Sequence, residues 1–247
     1  MEDAPLPASP ELRILAIDVG GTGLKAAVLD AEGNLLSDRV RVKTPHPCKP
    51  ADLLGTLLKL VEPLAEFEYN RISIGFPGVV RRGAILTAPK LGTDDLRGFE
   101  LAQELSKNLG YPARLINDAD MQGLAVVKGH GIELVMTLGT GVGSAIFSEG
   151  QLGPHLELSV SPFRKGETYN DQLGNDALKE VGPKKWNERV RKMIVNMRTL
   201  TNFDRLYLGG GNAKEITFKL DADVELVDNA NGVKGGAWLW RQGVQPA

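Results

Sequence analysis

The chain has 247 residues, of which 42% are hydrophobic and 24% charged, with a formal net charge of −2. That is enough apolar material for one sizeable core or two small lobes, and the charge offers no general attraction to nucleic acid or anionic membranes. No apolar run approaches the roughly 20 residues of a membrane span, and Cys48 is the only cysteine, which excludes an internal disulfide and a cysteine-based zinc site.

The opening stretch MEDAPLPASP is acidic and proline-rich, unlike a signal or transit peptide, and reads as the loose tail of a cytoplasmic protein. Residues 13–19 and 24–30 read as two strands joined by a glycine-rich turn, and Glu32-Gly33-Asn34 turns the chain again. Leu53, Leu54, Leu57, Leu58, Val61, Leu64 and Ala65 share a helical spacing that predicts a helix over 52–66. A short strand at 72–76 stops at Pro77-Gly78, where bare backbone could line a ligand. A helix over 98–109 ends at Gly110, and a strand at 113–116 runs into Asn117-Asp118. A helix near 119–129 follows, then strands at 134–138 and 142–147 around a Gly/Thr turn. Residues 154–183 read as irregular. The stripe Trp186, Val190, Met193, Ile194, Met197 and Leu200 predicts a long helix over 184–201. A strand at 205–208 runs into Gly209-Gly210-Gly211, and a last helix near 231–241 closes the chain.

One plan occurs twice. LAIDVGGTGLKAAVLDAEGNLL and LVMTLGTGVGSAIFSEGQLG each read as strand, Gly/Thr turn, returning strand, acidic-glycine turn and leucine. This predicts a duplicated lobe with a cleft between the copies. A Gly/Thr turn lets backbone N–H groups converge on one point and form an anion-binding concavity. Gly20, Gly21 and Thr22 form the first such turn, and Gly139, Thr140, Gly141 and Gly143 the second. Asp18 repels phosphate unless a cation lies between them, and Mg²⁺ suits that place, held by a carboxylate through water and by phosphate oxygens. The cluster Gly209, Gly210 and Gly211 could lie against a nucleobase or a phosphate chain, or be a close turn. GTGLKA also matches a dinucleotide fingerprint, but that fingerprint needs a helix after the glycines and a strand reads better here.

LINDADMQGLA delivers Asn117 and Asp118 to the start of a helix. Both residue types are favoured caps, and a carboxylate there could equally take the proton from an attacking hydroxyl. His155 and Glu157, two apart, would face one side of an extended segment and suit sugar hydroxyls; the other reading is a satisfied structural histidine. Arg189, Arg191, Lys192 and Arg198 make a helix face that is either solvated or a track for a polyanion.

In order, IDVGGTGLK, GFPGVV, LINDAD, TLGTGVGSA, LGGGNA and NGVKGGAW resemble the actin-like ATPase superfamily. Within it the chain is similar to the repressor–open-reading-frame–kinase (ROK) family of sugar kinases, above all its polyphosphate glucokinases, over about residues 13–241. The resemblance implies an α/β, two-lobed actin-like ATPase (ribonuclease H-like) fold with a duplicated lobe. It implies Mg²⁺ and donor-phosphate contacts at Asp18, Gly20, Gly21 and Thr22, and a second phosphate motif at Gly139, Thr140, Gly141 and Gly143. It further implies sugar binding at Asn117, general-base catalysis by Asp118, and an adenosine region at Gly209, Gly210 and Gly211. Two departures stand out. Many members carry glutamate-x-x-histidine where this chain has Leu152 and His155, with Glu157 beyond, and the cysteine-rich zinc motif is absent. Polyphosphate glucokinases also lack the zinc motif and often have histidine–leucine–glutamate at this place.

The resulting expectation is an N-terminal lobe at 12–116 plus 229–245 and a C-terminal lobe at 117–228. Glucose or a similar hexose would lie between them against Pro77, Gly78, Asn117, Asp118, His155 and Glu157, and receive a phosphoryl group on its 6-hydroxyl from polyphosphate, ATP or both. The likeness also suggests a homodimer. The altered sugar motif motivates an alternative, a catalytically inactive sugar-sensing protein of the same fold.

Overall fold

A computed structural model of the chain describes residues 11–228 and 231–241; the opening stretch read as a loose tail, and positions 229–230 and 242–245 of the expected N-terminal lobe, lie outside the described residues. The first half runs β1 (Ile14–Val19), β2 (Gly23–Leu29), β3 (Val40–Lys43), α1 (Pro50–Val61), β4 (Arg71–Phe76) and a small hairpin, β5 (Val80–Arg81) and β6 (Ala84–Ile85). It continues through α2 (Thr93–Leu96), α3 (Leu101–Leu109), β7 (Ala113–Asn117) and α4 (Asp118–Leu124). The second half runs β8 (Ile132–Leu138), β9 (Val142–Ser148), β10 (Gln151–Leu152), β11 (Pro162–Arg164), β12 (Glu167–Thr168), α5 (Tyr169–Leu173), α6 (Asn175–Thr201), β13 (Arg205–Gly209), β14 (Val224–Leu226) and α7 (Asn231–Trp238).

The two main sheets repeat one topology. Their orders are β3-β2-β1-β4-β7 and β10-β9-β8-β13-β14. In each, a hairpin (β1–β2 or β8–β9) carries a third antiparallel strand on one side and two parallel strands on the other. The expected duplication is therefore present strand for strand, and the chain has the two-lobed actin-like ATPase fold. The first sheet buries Leu15, Ile17 and Ile74 against Leu53, Leu57 and Leu60 of α1 and Leu105 of α3. The second buries Leu134, Met136 and Leu208 against Trp186, Val190, Met193 and Met197 of α6. Burial of such apolar side chains, at roughly 25 cal/mol per Å² removed from water, is what holds each helix to its sheet.

Between the sheets lie α4 and α7. The last helix packs on β1, β4 and α4, with Val233 and Ala237 against Ile14, Ala16, Ala27 and Leu29. Its two central glycines permit this. A Cβ on Gly235 would lie 1.6 Å from the Met121 carbonyl oxygen, and one on Gly236 would lie 2.9 Å from the Ala16 Cβ.

Several elements differ from expectation for identifiable reasons. The helix expected over 98–109 is α3 and starts only at Leu101, after Gly98 turns the chain with φ 80; the short α2 lies ahead of it. The helix expected over 119–129 ends at Leu124, because the amides of Lys128, Gly129 and His130 donate to the Glu133 carboxylate instead of continuing a helical ladder. Residues 154–183 are ordered: Thr168 and Asp171 form a capping box that starts α5. The expected 184–201 helix is the second segment of α6, which breaks at Gly182 (φ 75, ψ 164) before Pro183. Strands β3 and β14 were not foreseen; each is short and sits at a sheet edge. Among the described residues no helix is long and apolar enough to cross a membrane.

Glu133 is fully buried. Burial favours its neutral form, but three backbone N–H donors and the Tyr207 hydroxyl outweigh this and hold its pKa below the usual 4.5. That stabilisation is present above pH 4.5 and fades as the pH falls. Glu133→Gln is expected to lose about 1–3 kcal/mol at pH 7. Urea unfolding should show the gap closing as the pH falls below 4.5; a pH-independent gap would mean that the charge is irrelevant.

Candidate functional site

The β1–β2 and β8–β9 turns face one cleft of about 1140 Å³ between the halves. Asp18, Gly20, Gly21 and Thr22 line one wall, Gly139, Thr140 and Gly141 the other, and Gly210 and Gly211 also border it. Each turn is closed by its own backbone: the Gly20 amide donates to the Gly23 carbonyl at 3.1 Å and the Gly139 amide to the Gly141 carbonyl at 2.9 Å. Two expected residues fall elsewhere. Gly209 is buried at the end of β13, where a Cβ would lie 2.9 Å from the Gln122 amide nitrogen, so the third glycine cluster meets the cleft only through Gly210 and Gly211. Gly143 lines a second, smaller cavity.

That cavity, of about 120 Å³, adjoins the cleft and is lined by Pro77, Gly78, Asn117, Asp118, Thr137, His155, Glu157, Ser159 and Asn170. Asp118 borders both spaces. It is the first residue of α4, half-buried, and accepts from the Ala119 amide at 2.9 Å. Burial first, then the negative charges of Asp18 and Asp120, push its pKa up to about 7, against the Ala119 hydrogen bond and the Lys90 charge. Asn117, 6% exposed, is the N-cap of α4. Its Oδ1 accepts from the Ala119 and Asp120 amides, and its amide nitrogen donates to the Gly78 carbonyl at 3.0 Å. The side chain thus ties the start of α4 to the Pro77-Gly78 stop of β4.

His155 and Glu157 do face one space. His155, its side chain 8% exposed, meets Asp120 through Nδ1 at 3.1 Å, and its Nε2 lies 3.8 Å from Glu157. Burial alone would lower its pKa, but the Asp120 hydrogen bond and both carboxylates push it up to about 9. Burial raises the pKa of Asp120 in turn. Burial also works against Glu157, yet His155 and the Ser159 hydroxyl hold its pKa below the usual value. His155 Nε2 has no hydrogen-bond partner among the described residues. A protonated imidazole beside a carboxylate, with one N–H unspent, is suited to a ligand that both donates and accepts, as a vicinal diol does.

The cleft also holds residues with no role assigned from sequence. Lys25 pairs with Asp18 at 3.0 Å. Arg41, on β3, and Lys90 line the cleft, and the His46 Nε2 is 3.0 Å from the Gly21 carbonyl. The alternation Arg41, Lys43 on β3, with Arg39 just before it, was the available signal for Arg41. The basic stretch of α6, with Arg191 and Lys192 exposed, also has partners within the protein. Arg189 donates to the Gln172 carbonyl, Arg191 stacks on Phe218 at 3.8 Å, Lys192 lies over Phe163, and Arg198 pairs with Asp221 and Asp223. These cations fasten α6 to its own half.

Among the described residues no three His, Cys, Asp or Glu side chains gather as a metal centre. Mg²⁺ asks for less, since it commonly keeps several waters and takes only one or two carboxylates plus phosphate oxygens. Asp18 and Asp118 line the same cleft, and the charge of the first raises the pKa of the second. Two carboxylates that line one cleft and repel one another fit a hydrated divalent cation.

A family model described as the ROK family matches residues 14–154. The polyphosphate glucokinase of Mycobacterium tuberculosis (strain CDC 1551 / Oshkosh) is 29% identical over 234 residues, 88% of this chain and 83% of that protein. The N-acetylmannosamine kinase of Escherichia coli (strain SE11) is 35% identical over 142 residues, 56% of this chain and 48% of that one. The crystal structure of an inorganic polyphosphate/ATP-glucomannokinase from Arthrobacter sp. strain KM matches with a TM-score of 0.82 at 28% identity, covering 92% of this chain and 97% of that chain.

Proposed function

The chain belongs to the ROK family, and from that premise we propose that it is a sugar kinase transferring a phosphoryl group from polyphosphate, ATP or both to the 6-hydroxyl of glucose or a similar hexose. The observation that carries this reading is the position of Asp118, at the junction between a glycine-walled cleft and a small polar cavity. The names of the relatives support the same donor and acceptor classes. The hexose binds against Asn117, Gly78, His155 and Glu157. Asp118 accepts the hydroxyl proton as the oxygen attacks phosphorus. The turns at Gly20–Thr22 and Gly139–Gly141 hold the donor through backbone N–H groups. Asp18, with Asp118 nearby, would hold Mg²⁺ through water; when bound, the ion supplies charge neutralisation on the phosphate oxygens. Little covalent help is needed, so alignment and electrostatics supply most of the rate gain. The same reading takes the lobes that face the cleft as 12–116 with 229–245 and 117–228, and includes a homodimer.

The test is a coupled assay with ATP and polyphosphate as separate donors and glucose, mannose and N-acetylmannosamine as acceptors. Turnover with glucose or mannose on at least one donor is expected. Calorimetric sugar binding with no turnover on either donor would instead favour the sugar-sensing alternative. His155→Gln removes the charge-assisted contact, worth about 1.5–3 kcal/mol, and is expected to raise the sugar Kd by roughly 10- to 100-fold. Because the His155 pKa is about 9, wild-type sugar affinity should hold from pH 6 to 8 and decline above about pH 9. A decline centred on pH 6.5 would show an ordinary imidazole and remove this role.

A further inference from the structure

We infer that Lys90 grips the phosphoryl group in transit, as a cation that touches both glycine turns at once. The inference rests on the kinase reading and deepens it.

Lys90 follows the β5–β6 hairpin on a tight loop, in which the Leu91 and Gly92 amides donate to the Ala88 carbonyl and the Ala88 amide donates to the Thr93 hydroxyl. That loop aims the side chain across the cleft. Its stem passes over the first turn: a Cβ on Gly21 would lie 3.4 Å from the Lys90 Cβ and 3.5 Å from its Cδ. Its ammonium ends at the second turn: a Cβ on Gly141 would lie 2.7 Å from Nζ. Lys90 therefore spans the gap between the two walls. It lines both the donor cleft and the small cavity.

The charges around it are Asp118, Glu157 and Asp176, all felt by the ammonium, while burial lowers its pKa. None of these three comes within ion-pair distance, so the ammonium is open to the cleft and has no ion-pair partner among the described residues. A structural lysine in so acidic a setting would be expected to close on one of these carboxylates. An ammonium held apart from them, beside two glycine turns, has the geometry of an anion site. The anion that fits is the terminal phosphoryl of a polyphosphate or nucleoside triphosphate. In the transfer, the sugar oxygen–phosphorus bond forms, the bond from phosphorus to the donor's bridging oxygen breaks, and the hydroxyl proton passes to Asp118. Lys90 stays protonated throughout and neutralises charge on the phosphoryl oxygens in flight. Lysine serves here as a point charge, so its reach matters more than its hydrogen-bond pattern.

Lys90→Met keeps the stem against Gly21 and removes the charge; Lys90→Arg keeps the charge. With the full chain, Lys90→Met is expected to lower kcat at least 100-fold on every donor the wild type uses. Its sugar Kd by calorimetry should stay within threefold and its Tm should not fall. Lys90→Arg should recover kcat to within about tenfold of wild type. A Lys90→Met enzyme with kcat within threefold of wild type overturns the inference. So does a Lys90→Arg enzyme as slow as Lys90→Met whose sugar binding is also lost, since that marks a packing role. A second readout does not depend on turnover: calorimetric binding of inorganic tripolyphosphate should weaken at least tenfold in Lys90→Met. If the wild type turns over nothing yet shows this difference, the kinase reading fails and the Lys90 site stands. Equal tripolyphosphate affinity in both proteins overturns the site.

Discussion

Asp118→Asn is expected to lower kcat by about 10²–10⁴-fold, the range for losing a positioned general base, while raising the thermal stability of the protein. Both effects follow from one physical fact. Folding places this carboxyl beside Asp18 and Asp120 in a partly desolvated cleft, and its pKa rises from 3.8 to about 7. For an acid with a raised folded-state pKa, the ionised form is disfavoured by folding. The cost is absent below pH 3.8, grows towards pH 7 and is complete above it. Asparagine keeps the shape and lacks the charge. The variant should therefore melt higher at pH 8, by roughly 2–4 °C for each kcal/mol relieved in a domain of this size, and match the wild type near pH 4. In the wild type, turnover should rise with pH through about 7 as the base ionises. Sugar binding should persist in part, because Asn117, His155 and Glu157 are untouched. Scanning calorimetry at two pH values and steady-state assays check all three statements. An Asp118→Asn enzyme of wild-type speed removes Asp118 from the chemistry, and one that melts lower at pH 8 refutes the electrostatic account.

The second large effect lies far from the chemistry. Gly235→Ala is expected to destabilise the fold by at least about 3 kcal/mol, since it forces overpacking against backbone that cannot yield as a flexible side chain would. The new methyl would sit 1.6 Å from the Met121 carbonyl oxygen in the middle of α4. Either α7 lifts from β1 and β4, or α4 shifts and carries Asp118, at its first position, with it. Activity should fall along with stability for that reason. Gly55→Ala, in α1, is the control. Nothing lies within 4 Å of its would-be Cβ, so helix propensity alone should stabilise the protein by about 0.5–1 kcal/mol. Urea unfolding of both variants decides the matter; a Gly235→Ala midpoint equal to wild type would mean that the α4–α7 contact is soft.

The repeated hairpins, the order of the glycine turns and the Asn117-Asp118 step were legible in the sequence, because each is local. Gly-rich turns and strand ends announce themselves within a few residues. The capping box at Thr168-Asp171 was equally local, and reading it would have shown structure in the 154–183 stretch. What stayed hidden depended on distant partners. Nothing near Glu133 shows that its carboxylate would absorb three amides and end a helix. Nothing near Lys90 shows that it would reach across to Gly141. Gly209 looked equivalent to Gly210 and Gly211, but a strand end turns one residue inward and its neighbours outward, and Gln122 fills the inward side. The basic run of α6 read as either a solvated face or an anion track, and its partners Phe218, Phe163, Asp221 and Asp223 are too distant in sequence to have been foreseen. Asn117 shows both halves of the lesson: capping and site-building are the same contacts, since the side chain that starts α4 also fixes the Gly78 carbonyl at the cavity wall.

The most direct test is a crystal structure of the protein with glucose, Mg²⁺ and a non-hydrolysable ATP analogue or short polyphosphate. The sugar is expected in the small cavity, with its primary hydroxyl within hydrogen-bond reach of Asp118 and another hydroxyl on His155. The terminal phosphate is expected between Gly20–Thr22 and Gly139–Gly141. A sugar bound elsewhere on the molecule, or a phosphate chain that avoids both turns while Asp118 faces only protein, would contradict the proposed mechanism.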